Sequence, residues 1–260
     1  MCAPYVYSDV DGTLLDDNGQ LACASALREV AERAHLVLAS SRTLDELSAL
    51  TLSWGIRADL IAENGAWMAW TSPQGASVRE SMEGADWWVR QVGEDRTAVL
   101  RLLRATSSAD STPRQLADEW PEAEWRRATG QSAADARRAR RRRGSVLLAD
   151  ASAQQLAAWR AAGFDAEPGG RWTCVTRGAG KGRAVRLHAT LAGSPPVTIG
   201  IGDAANDRSL LGAVSTPLIV RRRDGSVDPA LRDLLPPAVV LGTSGAAAWS
   251  EVLDFLPDGG

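Results

Sequence analysis

Three short apolar runs in the first quarter of the chain each end on a group of polar residues, and this pattern constrains the fold more than any other feature. The runs and their polar groups are Pro4–Ser8 with Asp9–Thr13, His35–Ala39 with Ser40–Thr43, and Leu60–Ala62 with Glu63–Gly65. Helical patterns at residues 22–34 and 44–52 separate the runs. Alternating strands and helices predict a doubly wound parallel sheet, whose strands deliver their polar ends to one edge.

The same alternation returns in the last third of the chain. The pattern predicts a helix over Lys181–Leu191, a strand over Val197–Ile201 that ends on Gly202–Asp207, strands at Pro217–Val220 and Val239–Leu241, and a final helix over Ala246–Phe255. Residues 1–83 and 176–260 are therefore predicted to form one discontinuous α/β core with a Rossmann-like sheet.

Residues 84–175 break this rhythm, because helices and strands do not alternate there. The first expected element is an aromatic segment at Trp87–Val92. Helices are expected over Glu94–Ala105, from Thr112-Pro113, from Ser132, and from a Ser152/Gln155 capping box to Gly163. Strands are expected at Val146–Ala149, Phe164–Glu167 and Trp172–Arg177. The segment is predicted to be an inserted α+β domain.

Composition excludes several classes of protein. With 32 acidic and 29 basic side chains, the chain lacks the basic excess of a dedicated nucleic-acid binder. Three scattered cysteines and two histidines argue against a disulfide framework or a zinc centre. No apolar run is long enough for a membrane span, so the sequence predicts a soluble, cytoplasmic protein without a membrane partner.

Carboxylates from opposite ends of the chain are predicted to meet at the carboxyl edge of the sheet. Asp9 and Asp11 follow the first strand, and Asp203 and Asp207 follow the strand at Val197–Ile201. Like charges this close raise one another's pKa unless a cation lies among them. Oxygen ligands of this kind suit Mg²⁺ held together with a phosphate, so a phosphorylated small molecule is the expected substrate.

The surrounding residues supply what phosphoryl transfer needs. Asp9 is placed to attack phosphorus, and Asp11 to protonate the leaving oxygen and later to take a proton from water. The expected phosphate ligands are the backbone N–H groups of Gly12 and Thr13, the strand-end residues Ser40 and Ser41, and Lys181. Lys181 is the single lysine beside 28 arginines, which indicates a position where a compact ammonium matters.

Taken together, these motifs resemble the haloacid dehalogenase superfamily of phosphatases. The matching segments are DVDGT at 9–13, SSR at 40–42, ENG at 63–65, KG at 181–182 and GDAAND at 202–207. The position of the insert resembles the branch with a large α+β cap, called the C2 type. The resemblance implies Asp9 as nucleophile, Asp11 as general acid and base, and Mg²⁺ held by Asp9, the Asp11 carbonyl and Asp203. It also implies that Asn206 and Asp207 order the metal's outer shell.

Within that branch the chain is most similar to the mannosyl-3-phosphoglycerate phosphatases. The similar segments are 129–143, 169–172, 178–185 and 242–245, whereas Cys174 stands where that family tends to carry His, and an acidic residue is missing near Gly144 and Ser145. The resemblance implies hydrolysis of mannosyl- or glucosyl-3-phosphoglycerate to the glycosylglycerate and phosphate, a chemistry of compatible solutes.

Several residues are candidates for contact with the organic part of the substrate. The candidates are Arg42, Glu63, Asn64, Gly65, Arg171 and Trp172. Simpler interpretations stay open, since Glu63–Gly65 could form only a turn, Arg171 could be a surface residue, and tryptophans commonly pack in cores.

Two other functions remain as alternatives. A sugar phosphomutase would share the core motifs but would need a strongly basic second phosphate site in the insert. An RNA-binding or acidic-partner surface would use the run Arg137–Arg143, which is otherwise a solvated helix end whose cations suit the helix dipole or help to attract an anionic substrate.

Overall fold

The computed structural model describes residues 3–75, 77–106, 116–234 and 237–257. Its strands are β1 (Tyr5–Ser8), β2 (His35–Ala39), β3 (Asp59–Ala62), β4 (Trp67–Trp70), β5 (Val78–Met82), β6 (Ala85–Gln91), β7 (Val146–Leu148), β8 (Phe164–Pro168), β9 (Thr173–Arg177), β10 (Thr198–Gly202), β11 (Thr216–Arg221) and β12 (Val239–Ser244). Its α-helices are α1 (Ala24–Arg33), α2 (Leu44–Trp54), α3 (Arg96–Thr106), α4 (Glu122–Thr129), α5 (Ala133–Arg140), α6 (Ala153–Ala161), α7 (Lys181–Leu191) and α8 (Arg208–Leu211). Short 3₁₀ segments cover Glu63–Gly65, Ala117–Glu119, Ala205–Asp207, Pro229–Leu231 and Gly245–Phe255, the last where an α-helix was expected.

The larger sheet has nine strands in the order β12-β11-β10-β1-β2-β3-β4-β6-β5. The strands from β12 to β3 pair in parallel, and the remaining three extend the sheet in antiparallel fashion. This sheet confirms the predicted α/β class. The four strands that carry the catalytic motifs, β10, β1, β2 and β3, are neighbours, so their carboxyl ends meet at one edge.

Both faces of this sheet are buried because successive side chains of a strand point to opposite faces. Val6 and Leu38 pack into a cluster with α1, α2 and the C-terminal 3₁₀ segment. Tyr7 and Val37 pack into a second cluster with α7 and α8. This accounts for strands that read as continuous apolar runs rather than as alternating ones.

The antiparallel part of the sheet differs from the sequence-based prediction. β4 and β5 were not predicted, and the aromatic segment assigned to the insert is β6, which pairs with β4. The predicted boundary between residues 83 and 84 falls in the tight turn between β5 and β6. There Glu83 and Gly84 have positive φ angles of 52° and 81°, as a two-residue hairpin turn requires. We therefore propose that the insert comprises residues 92–177, and use the term in that sense below.

The insert is built on its own three-stranded antiparallel sheet, in the order β7-β9-β8. One face packs with α3 and α6, and the other packs with α4 and α5 around the buried Trp125. The predicted Ser152/Gln155 capping box is present. α4 was missed because Pro121 at its N-cap offers no side-chain cap, and the helix expected from Thr112-Pro113 lies outside the described residues.

None of the helices within the described ranges combines the length and apolar character needed to cross a bilayer.

Candidate active site

The carboxyl edge of the larger sheet gathers a buried lysine between two buried carboxylates. Lys181 Nζ donates hydrogen bonds to Asp9 Oδ1 and to Asp207 Oδ1, both at 2.6 Å. The lysine is only 2% exposed. Burial alone would lower the pKa of Lys181, but the two carboxylates raise it above its ordinary value, so the ammonium stays charged.

α7 can bring Lys181 to this position because Gly182 follows it. A Cβ atom on Gly182 would lie 2.1 Å from the carbonyl oxygen of Ser209 in α8. Only glycine allows the start of α7 to approach α8 so closely. In the KG motif, Lys181 therefore supplies the charge, and Gly182 supplies the space that lets α7 pack against α8.

Asp9, Asp203 and Asp207 each offer an oxygen atom within 4.8 Å of the others. Burial raises the pKa of Asp9 well above its ordinary value, Asp207 raises it further, and Lys181 opposes the rise. Burial and the Asp207 carboxylate raise the pKa of Asp203 to about 7. These carboxylates carry more negative charge than one ammonium balances, which is the condition that a bound cation relieves.

The hydrogen bonds separate the candidate metal ligands from a supporting residue. Asp207 uses Oδ1 for Lys181 and Oδ2 for the backbone N–H groups of Asp203 and Ala204, each at 3.2 Å. Asp207 therefore shapes the loop after β10, whereas side-chain donors of the described residues bind only Oδ1 of Asp9 and Oδ1 of Asp203. Two hard oxygen ligands beside a phosphate site fit Mg²⁺.

Gly12 lies against Asp203 in the loop after β1. A Cβ atom at Gly12, whose φ is +83°, would be 2.7 Å from Asp203 Oδ2. The backbone N–H of Gly12 donates to Leu15 O at 2.9 Å, so its predicted contact with phosphate would compete with this hydrogen bond. The residue leaves room for Asp203, which also accepts a hydrogen bond from Thr13 Oγ1 at 3.2 Å.

Asp11 extends outward from the same loop, with its side chain 53% exposed. Arg42 donates two hydrogen bonds to Asp11, from Nε to Oδ2 at 2.9 Å and from Nη2 to Oδ1 at 2.6 Å. The predicted contact of Arg42 with substrate therefore competes with this pairing. Ser40 is buried, its hydroxyl oxygen accepts the backbone N–H of Arg42 at 3.2 Å, and Ser41 contributes its carbonyl oxygen to Arg142.

The three residues of Glu63–Gly65 have different environments. The Glu63 carboxylate is fully buried and accepts hydrogen bonds from Arg143 N, Gly144 N and Ser145 Oγ, so it faces the insert rather than a substrate. Gly65 allows close backbone approach, because a Cβ atom there would lie 2.5 Å from Gly180 O. Asn64 alone faces a pocket, and its Oδ1 finds no hydrogen-bond partner among the residues that the structure describes.

That pocket, of about 220 Å³, lies between the insert and the core beside Lys181. Its polar lining includes residues that the sequence analysis did not select: Asp165 and Glu167 of β8, Arg183 and Arg186 of α7, and Ser209 of α8. The predicted Asn206 also lines it. Burial raises the pKa of Asp165 and of Glu167. The alternation of apolar and acidic residues over Phe164–Pro168 could have indicated this role, since it places both acids on one face of a strand.

Arg171 and Trp172 do not line this pocket. Trp172 packs inside the insert, with its ring centroid 4.4 Å from that of Trp125 and 5.9 Å from that of Trp120. Arg171 is exposed on the loop before β9. Their contact with substrate stays a prediction, since the loop that carries them directly follows β8, whose Glu167 does line the pocket.

The arginine run also has a different environment from the one predicted. Arg138 pairs with Glu83 at 2.7 Å, Arg141 with Asp45 at 3.0 Å, and Arg143 with Glu80 at 2.6 Å. The buried Arg142 donates to Ser41 O at 2.6 Å. These four side chains join the insert to the core, whereas Arg137 is exposed and Arg140 donates to Asp118 O within the insert.

A larger cavity, of about 520 Å³, lies beside β11 and β12 at the far end of the sheet. Most of its lining residues have apolar side chains, and Arg221 within it donates hydrogen bonds to the carbonyl oxygens of Leu241 and Gly225. The carboxylate cluster is not part of it. The smaller pocket is not lined by those carboxylates either, but it includes Lys181, which hydrogen-bonds to two of them, so we associate the chemistry with the smaller pocket.

Comparisons with known proteins agree with this geometry. The family model of haloacid dehalogenase-like hydrolases matches residues 6–81, which carry the first three motifs. A protein of Thermoplasma acidophilum shares the fold over 98% of both chains, at a TM-score of 0.68 and 15% identity. A haloacid dehalogenase-like hydrolase from B. subtilis matches over 97% of this chain and 99% of its own, at a TM-score of 0.63 and 18% identity.

The first third of the chain is thus similar in sequence to the haloacid dehalogenase-like hydrolases, and the whole chain shares the fold of these solved structures. A third structural match is a sugar phosphatase of subclass IIB of that superfamily, which covers 92% of this chain and 94% of its own at a TM-score of 0.59 and 13% identity. In this chain the motifs after β1, β2, β3 and β10 form the sheet edge around Lys181, and the insert supplies the opposite wall of the pocket.

Proposed function

We propose that this protein is a Mg²⁺-dependent phosphatase that cleaves a phosphorylated sugar derivative through an aspartyl-phosphate on Asp9. The observation that carries the proposal is the buried Asp9–Lys181–Asp207 cluster with Asp203 beside it, at the end of neighbouring parallel strands. Lys181 takes one oxygen of Asp9 and leaves the other for attack on phosphorus.

The reaction then needs two steps. Asp9 forms a bond to phosphorus while the ester oxygen leaves and takes a proton from Asp11. Asp11 next accepts a proton from a water molecule, which attacks phosphorus and breaks the bond to Asp9, releasing phosphate. The two hydrogen bonds from Arg42 hold the Asp11 carboxyl group at the entrance of the proposed active site.

The remaining core residues support the phosphoryl group. Ser40 is placed to donate its hydroxyl, and the ammonium of Lys181 offsets negative charge as phosphorus is attacked. Mg²⁺ would be held by Asp9, Asp203 and the Asp11 carbonyl, where it would neutralise charge on the phosphoryl oxygens. Asp207 keeps Asp203 in place through the backbone of its loop.

The pocket supports a sugar-containing substrate with a second anionic group, and mannosyl- or glucosyl-3-phosphoglycerate is the candidate we favour. Carboxylates such as Asp165 and Glu167 accept hydrogen bonds from sugar hydroxyls, and Arg183 offers a cation for a glycerate carboxylate. The sugar phosphatase with the same fold supports the same substrate class.

The first experiment tests the chemistry. Asp9→Asn keeps the shape of the side chain but removes the nucleophile, so phosphate release should fall to background while thermal unfolding shows a folded protein. The exposed Asp17→Asn variant is the matched control. Full residual turnover in Asp9→Asn would refute the mechanism.

The second experiment tests the substrate. Phosphate release is compared across mannosyl- and glucosyl-3-phosphoglycerate, mannose 6-phosphate and 3-phosphoglycerate with Mg²⁺, ranked by kcat/KM. We expect Arg183→Ala to lower the preference for the carboxylated substrates over mannose 6-phosphate by about tenfold or more. Arg33→Ala, on the exposed face of α1, should keep the wild-type preference.

A further inference from the structure

One loop of the insert, residues 142–145, makes a third attachment to the core in addition to the two linkers. The two linkers between the insert and the core lie side by side, since Glu94 N donates to Arg177 O at 2.9 Å. Two adjacent linkers by themselves would allow the insert to swing. The 142–145 loop contacts the core elsewhere, at the ends of β2 and β3.

A buried arginine and a buried glutamate form this attachment. Arg142 donates from Nη2 to Ser41 O at 2.6 Å and from Nε to Ser145 Oγ at 2.7 Å. Glu63 accepts from Arg143 N at 2.9 Å, from Gly144 N at 3.0 Å and from Ser145 Oγ at 2.5 Å. The Arg142 and Glu63 side chains are 2% and 0% exposed. Buried charges of this kind are costly unless they are hydrogen-bonded, and here Glu63 accepts from three donors while Arg142 donates from Nε and Nη2.

The segment held by Glu63 is conformationally strained. Glu63 and Asn64 both have φ near 51°, in the left-handed region that non-glycine residues rarely adopt. Such a conformation persists where surrounding contacts hold it in place. The insert supplies those contacts, because the Glu63 carboxylate bonds to the 142–145 loop with both oxygens.

The same segment connects the loops of the proposed active site. Glu63 N donates to Arg42 O at 2.8 Å, and Asn64 N donates to Ser40 O at 2.9 Å. Gly180 N donates to Asn64 O at 2.9 Å, immediately before Lys181. A shift at Glu63 would therefore reach the residues proposed to bind phosphate.

We propose that Glu63 and Arg142 are positioning residues for phosphoryl transfer: through them the insert holds the strand-end loops in the geometry that catalysis needs. This inference rests on the proposed phosphatase function. It assigns the insert a part in forming the phosphate site in addition to covering the substrate.

The chain contains a matched control contact at the same junction, the contact region between the insert and the core. Arg138 pairs with Glu83 at 2.7 Å, but Glu83 lies in the β5–β6 turn, far along the sheet from the motif strands. Loss of that pair weakens the junction without touching the loops that carry Ser40 and Asn64. Glu83→Gln is therefore the control for Glu63→Gln.

The experiment measures kcat and KM for p-nitrophenyl phosphate, the competitive inhibition constant of inorganic phosphate, and the thermal unfolding midpoint of each full-length variant. We expect Glu63→Gln to lower kcat by about tenfold to a hundredfold and to weaken inhibition by phosphate, since small displacements of catalytic groups are costly. Glu83→Gln should keep kcat within about twofold of wild type. Equal kcat and phosphate inhibition in the two variants, at temperatures where both are folded, would overturn the proposal.

Variants of Arg142 give an independent test if Glu63→Gln fails to fold. Arg142→Lys keeps the charge and one direction of donation, so its kcat should lie between those of wild type and Arg142→Met. Equal kcat for Arg142→Met and wild type would contradict the proposal. An active wild type with an inactive Asp9→Asn, together with a wild-type Glu63→Gln, would refute this inference alone, whereas a fully active Asp9→Asn would refute the phosphatase mechanism itself.

Discussion

Two buried charge clusters in this molecule use different cations for different tasks. At the sheet edge, one lysine bridges Asp9 and Asp207, and at the junction Arg142 bridges Ser41 and Ser145 beside Glu63. An ammonium is a compact point charge that leaves space for an incoming phosphate. A guanidinium is a planar fork that fixes its partners in one geometry. The comparison indicates that the chain reserves its single lysine for a site where ligands come and go, and uses arginine where the arrangement is permanent.

Lys181→Met should have the largest effect, because it removes the cation from the sheet-edge cluster. Asp9 and Asp207 would then be buried together without compensation, which destabilises a fold by about 3–5 kcal/mol. Phosphate release should fall by about a hundredfold to a thousandfold. Urea unfolding and steady-state kinetics measure both effects. Arg33→Met, at an exposed pair, should change stability by less than about 0.5 kcal/mol, and equal effects of the two variants would remove the distinction drawn above.

Mg²⁺ should stabilise the sheet edge and leave the junction unaffected. At about 100 times its dissociation constant, a ligand that binds only the folded protein adds about 2.7 kcal/mol to the free energy of unfolding. Thermal unfolding with and without Mg²⁺ should show this gain in wild type and in Glu83→Gln. Asp203→Asn should lose it. A full Mg²⁺ response in Asp203→Asn would assign the metal to other ligands.

Gly144→Ala should lower the free energy of unfolding, because the added methyl group would clash with core residues at the junction. A Cβ atom there would lie 2.7 Å from Ala66 Cβ and 3.1 Å from the Trp67 ring. Overpacking of this kind costs about 1–3 kcal/mol, which chemical denaturation can measure. Gly170→Ala, also in the insert, meets no atom within 4 Å and should be close to neutral. A neutral Gly144→Ala would mean that the junction yields, contrary to the permanent arrangement argued here.

The Arg138–Glu83 pair should show the smallest effect. Its side chains are 25% and 19% exposed, so a double-mutant cycle should give a coupling of about 0.2–1 kcal/mol that falls with added salt. The Arg79–Asp86 pair, with side chains 63% and 54% exposed, is the control and should couple more weakly still. A coupling above about 3 kcal/mol would place this pair with the buried cluster instead.

The sequence was sufficient where a signal is local. Apolar runs that end on polar residues located β1, β2 and β10, and the helix Lys181–Leu191 was predicted at its observed bounds. The capping box of α6 followed from two residues three positions apart. Such features depend on neighbouring residues along the chain, so a single sequence contains them.

The remaining features depend on contacts between distant segments. Glu63 reads as part of a turn until the structure shows its carboxylate against residues 143–145. The run Arg137–Arg143 resembles a basic surface in the sequence because its core partners Asp45, Glu80 and Glu83 lie more than 50 positions away. β4 and β5 are short antiparallel strands stabilised by pairing at the end of the sheet, which no local periodicity indicates.

The junction also has a consequence for recombination between related enzymes. The core groups that hold the arginine run, from Ser41 to Glu83, all precede the insert in the sequence. An insert transplanted alone would leave the buried Arg142 without Ser41 O, and Arg141 and Arg143 without their carboxylate partners. A working chimaera must therefore carry residues 41–83 from the same parent, and substitutions in the two segments are expected to accumulate together.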